Sequence, residues 1–120
     1  YTSSSDKLLS VIKPKIVCVC CCAGSIERTT AFERLFPAQD FINRVAKYTS
    51  RVYVTSMRDL MIKDGEYINE GDFKSMNGNI VVSSGKEGIN VNCTNNNTVL
   101  KDTEWFKNNR TLPDAWKAAA

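Results

Sequence analysis

The chain has 120 residues, 42% of them hydrophobic and 24% charged, with 16 basic and 13 acidic side chains and a net charge of +3. That length supports one α/β-sized domain with one core and excludes two. The surplus of positive charge is small and interleaved with acids, so it predicts no phosphate-tracking stripe and no clear nucleic-acid patch.

Histidine is absent, which removes the commonest general base and the commonest zinc ligand together. No apolar run approaches the ~18 residues of a membrane span. The opening Tyr1-Thr2-Ser3-Ser4-Ser5-Asp6 lacks the basic and then apolar order of a signal peptide. The expected compartment is the cytoplasm, or the cell exterior if an upstream signal peptide has been removed.

In chain order, Thr2, Ser3, Ser4 and Ser5 precede a helix expected over Ser4 to Lys13. Ser4 or Ser5 suits the N-cap, and Asp6 suits the positive end of the dipole. Leu8, Leu9, Val11 and Ile12 form its apolar face, and Pro14 stops it. As a functional alternative, the four hydroxyls line a pocket at the same helix end.

Ile16 to Cys22 is apolar without alternation. It predicts a strand buried on both faces, with helices over each. Four of the five cysteines (Cys18, Cys20, Cys21, Cys22) crowd this strand, and Cys93 stands apart. Alternation puts Cys18, Cys20 and Cys22 on one face and Cys21 on the other. They read as buried free thiols acting as small hydrophobes, which suits a reducing compartment. A thiol redox or metal site is the alternative, without the Cys-x-x-Cys spacing it would need.

The strand closes at Ala23-Gly24-Ser25, at the sheet edge where ligands bind in α/β folds. Ile26 to Leu35 reads as loop with a turn or two of helix. A second helix is expected from Pro37 to Tyr48, with Pro37 in its first position and Phe41, Ile42, Val45, Ala46 and Tyr48 as its buried stripe. Arg51 to Ser56 is a short strand that a right-handed crossover makes parallel to the first. Asp64-Gly65 signals a hairpin turn, and Asn69 to Asn77 reads as polar loop. Asn79 to Ser83 and Ile89 to Cys93 form an antiparallel hairpin. Short helices are expected over Thr103 to Asn108 and Leu112 to Ala120.

No catalytic constellation is self-sufficient. Asp64, Glu66, Glu70 and Asp72 do not match a calcium loop. Gly24 is a lone glycine and makes no phosphate loop, and the serines have no motif that supplies a base.

Thr2-Ser3-Ser4-Ser5, Leu8-Leu9 and Ile12-Lys13-Pro14-Lys15-Ile16-Val17 together resemble the carboxyl-terminal half of metallo-β-lactamase-fold proteins of the competence-protein type. The likeness runs on through Phe36-Pro37-Ala38, Arg51 to Thr55 and Gly78-Asn79-Ile80-Val81-Val82, covering residues 2 to 93. It implies a mixed sheet with helices packed on it, one αβ half of an αββα sandwich. It also implies a missing amino-terminal half that carries a histidine-rich motif for zinc or another divalent metal. By that likeness the chain starts where the family's His-His-Gly segment would have just ended. Where the family often has His-Pro, this chain has Phe36-Pro37, so no metal ligand carries over. Thr2, Ser3, Ser4 and Ser5 carry over only as a segment adjacent to the metal pocket. The implied function is a piece of a metallo-hydrolase, inactive alone, whose partner is that missing half. The alternative is a stand-alone, non-catalytic binding or scaffolding domain whose partner is a second copy.

Overall fold

The computed structural model describes residues 4–25, 31, 34–63 and 66–117, with the backbone alone between 59 and 73. Ser5 opens α1 (Asp6–Ile12): its Oγ accepts the Leu8 amide at 3.3 Å, and Asp6 occupies the first turn. Lys13 closes the helix in the left-handed region at φ 45°, one residue before Pro14. Then come β1 (Val17–Ala23), α2 (Gln39–Ala46), β2 (Val52–Lys63) and β3 (Glu66–Ser75). β4 (Ile80–Gly85) and β5 (Gly88–Cys93) follow. After them stand a 3₁₀ turn (Leu100–Asp102), α3 (Glu104–Asn109) and α4 (Asp114–Lys117). Among the described residues no helix is long and apolar enough to cross a membrane.

The architecture is α/β, with a mixed three-stranded sheet in the order β1-β2-β3 and a separate β4-β5 hairpin. β1 runs parallel to β2, as the crossover predicts, and β3 returns antiparallel. Lys63 pairs with Glu66, and the expected turn residues Asp64 and Gly65 lie outside the described residues. Most of the expected loop from Ile26 to Leu35 also lies outside them, as do Ala118 to Ala120.

Several expectations are corrected. β1 is an edge strand among the described residues, not an inner one. Both helices lie on one side of it: Leu9 of α1 and Ile42, Val45 and Ala46 of α2 share a core with Val52 and Val54, and Val17, Val19 and Cys21 pack against that core. Cys18 and Cys20 point the other way and are exposed. An apolar run of valines and cysteines looks the same whether one face or two is covered, because a thiol is small and tolerates water.

α2 begins at Gln39 with Ala38 as its N-cap, so Pro37 stands before the helix and not in its first position; the Phe36-Pro37 bond is cis. Asn69 to Ser75 belongs to β3, and β2 is twice as long as its β-rich start suggests. Tertiary pairing decides both, since polar residues are tolerated in a strand that has a partner. In α1 only Leu9 is buried; Leu8, Val11 and Ile12 are exposed.

The hydrophobic core gathers around α2, β2 and the carboxyl-terminal helices. Trp105, Phe106 and Trp116 are all buried in it, and Phe106 and Trp116 sit 5.7 Å apart in a tilted contact, a geometry aromatic quadrupoles favour. Thr103 caps α3 by accepting the Phe106 amide.

Candidate functional site

The carboxyl end of β1 is where the sequence places a ligand edge, and the structure puts a small cavity there. It measures about 200 Å³ and is lined by Val19, Cys20, Cys21, Phe36, Pro37, Ala38 and Phe41. Gly24, at φ +83°, turns the chain after the strand, and its amide donates to the Phe36 carbonyl at 2.8 Å. That bond holds the loop before α2 against the strand end.

The register of β1 on β2 shifts between Val19 and Cys22, and side chains fill the irregularity. The Thr55 hydroxyl accepts the Cys21 amide at 3.2 Å and donates to the Cys21 carbonyl at 3.0 Å, while the Ser56 hydroxyl donates to the same carbonyl at 3.1 Å. The Cys21 backbone is therefore satisfied where the ladder cannot reach it.

None of the perturbed thiols is activated. Burial pushes the Cys21 thiol up to about 12, with Cys22 and Cys20 adding to the effect. Cys18 is raised by burial, then by Cys93 and Cys20, and Cys93 is raised by burial. A raised value keeps a thiol protonated and poorly nucleophilic. Among the described residues no group of three or more His, Cys, Asp or Glu side chains is placed to hold a metal ion.

The hydroxyl run lies elsewhere. Thr2 and Ser3 fall outside the described residues. The Ser4 carbonyl accepts Arg44 Nε at 3.2 Å, and Lys47 pairs with Asp6 at 3.1 Å. These contacts set the start of α1 beside the last turn of α2, whereas the cavity uses Ala38 and Phe41 at the first turn. The predicted cap and the predicted ligand edge are thus at opposite ends of one helix, and the structure does not bring them together.

A second concavity has no counterpart in the sequence expectations. A groove of about 530 Å³ is bordered by Lys101, Asp102, Lys107, Arg110 and Lys117, with Phe106 and Trp116 among its walls. Its cations are up to 16 positions apart and alternate with acids, so only the packing of α3 and α4 collects them.

No family model matches the chain, and neither a curated protein nor a solved structure does.

Proposed function

We propose that this chain is the carboxyl-terminal αβ half of a metallo-β-lactamase-fold, hydrolase-like protein of the competence-protein type, inactive without an amino-terminal half that supplies the metal. The observation that carries the reading is the uncovered edge of the sheet. α1 and α2 cover one face; on the other, Tyr53 is buried while its register partner Cys18 and Cys20 of β1 are exposed. A second sheet of a sandwich would continue over that uncovered strand. Along β1 that face presents the thiols of Cys18 and Cys20.

The donor set of this chain does not fit the implied metal. It has no histidine, and its described residues assemble no ligand group, so the histidine-rich motif of the other half would have to hold the ion. The chain's own contribution is to present the sheet face and the Ser5-capped start of α1. The test extends the protein upstream through the gene and measures bound zinc. The reading expects stoichiometric zinc in the extended protein and none in the 120-residue chain; an upstream region without a metal-binding motif would overturn it.

A second reading, self-association, is favoured by apolar side chains left in water: Leu8, Val11 and Ile12 of α1 and Val81, Val82 and Ile89 of the hairpin are all exposed, the kind of surface a second copy would cover. Sedimentation of the isolated chain separates the two readings, because a concentration-independent monomer removes the self-association reading alone.

A further inference from the structure

The groove beside α3 and α4 gathers cations. Its border holds Lys101, Lys107, Arg110 and Lys117 with one carboxylate, Asp102, and Glu104 and Asp114 stand beside Lys107 and Lys117. A concave wall that carries cations raises the local concentration of an anion.

The three lysines hold only weak partners. Lys107 lies 3.9 Å from Glu104 and Lys117 lies 3.2 Å from Asp114, carboxylates that are 84% and 98% exposed. Lys101 reaches its neighbour Asp102 at 3.5 Å. The exposed pairs of Lys107 and Lys117 contribute little and exchange readily with water, and the Lys101 side chain is half-buried while its Asp102 partner is exposed. Arg110 acts differently. Its Nε donates to the Pro37 carbonyl at 3.0 Å and its Nη2 to the Leu35 carbonyl at 2.7 Å. Those bonds point its donors into the fold, so it adds charge beneath the groove while bracing the loop before α2.

We infer that this groove binds a small phosphate-bearing ligand of polyphosphate or nucleotide size. Lys101, Lys107 and Lys117 line one groove, and a multivalent phosphate within reach of all three would replace three separate carboxylates with one shared anion. The volume lies within the range of small-molecule pockets, and Phe106, Leu112 and Trp116 offer an apolar wall to the organic part of a phosphate ester. The inference is independent of the sandwich reading, because none of these residues lies on the open sheet face.

Calorimetric titration of the folded chain with tripolyphosphate, and separately with a nucleoside triphosphate, tests it. Saturable 1:1 binding is expected. Changing Lys101, Lys107 and Lys117 together to Gln should weaken it at least about tenfold, equivalent to about 1.4 kcal/mol. Changing Lys13 and Lys15, which lie outside the groove, to Gln should leave it unaltered. Equal affinity for the two ligands assigns recognition to the phosphates; tighter nucleotide binding adds the apolar wall; both outcomes support the site. Absence of saturable binding to either ligand would overturn it, as would an equal loss in the Lys13/Lys15 variant. Circular dichroism checks that the triple variant folds, and Lys107→Glu at an exposed position gives the same readout with one change.

Discussion

At the residue scale, Asn77 does more than its place in an apparent polar loop suggested. It is 1% exposed, and its Oδ1 accepts the Val54 amide at 2.7 Å. Its Nδ2 donates to the Asn96 and Thr98 carbonyls at 3.1 and 2.8 Å. One side chain therefore ties β2 to the segment after the hairpin. Asn77→Ala leaves a buried amide and two carbonyls without partners and should cost about 2–4 kcal/mol in urea unfolding. Cys21 gives a pH prediction. The thiol titrates near 8.5 in an unfolded chain and at about 12 in the folded one. Between those values the unfolded state has lost a proton that the folded state keeps, so rising pH favours unfolding. Stability should decline above about pH 8.5, and less steeply in Cys21→Ala, as urea midpoints at several pH values will show.

At the scale of elements, most of the fold was legible and the exceptions share a cause. Ser5, the stripe of Ile42, Val45 and Ala46, and the β4-β5 hairpin are fixed by short-range chemistry: a cap, a 3.6-residue period, a glycine-bounded turn. β1 and the Asn69 to Ser75 part of β3 depend on what lies across from them, which no local pattern records. The groove lysines were illegible for the same reason, since α3 and α4 are distinct helices that only packing brings together. Helix α1 shows the difference between an apolar pattern and a buried one. Leu9 is 3% exposed and Val11 is 75% exposed. Leu9→Ala should cost about 2–4 kcal/mol, while Val11→Lys should change thermal stability of the isolated chain by no more than about 0.5 kcal/mol. A large loss from Val11→Lys would mean that another surface already covers α1 in solution.

Across the whole molecule, the apolar surface left in water falls on α1 and on both faces of the hairpin, where Val81 is exposed as well. The register of the hairpin sets Ile80 opposite Cys93, Val82 opposite Val91 and Ser84 opposite Ile89 on one face. Val82 and Ile89, nearest its turn, are 48% and 45% exposed. At the other end, Cys93 is near enough to Cys18 to add to the rise of its thiol after burial, so the base of the hairpin lies near β1, whose Cys18 stays exposed. Tyr53 is buried, and the outer face is therefore closed over β2 and open along β1.

Thiol accessibility reports on that opening directly. Brief alkylation of the dilute, folded chain followed by mass spectrometry should modify Cys18 and Cys20 and spare Cys21, and the same treatment of the upstream-extended protein should protect Cys18 and Cys20 as well. Protection of Cys18 and Cys20 in the dilute chain would contradict the open face, and equal labelling in the extended protein would contradict its occupation by a second sheet.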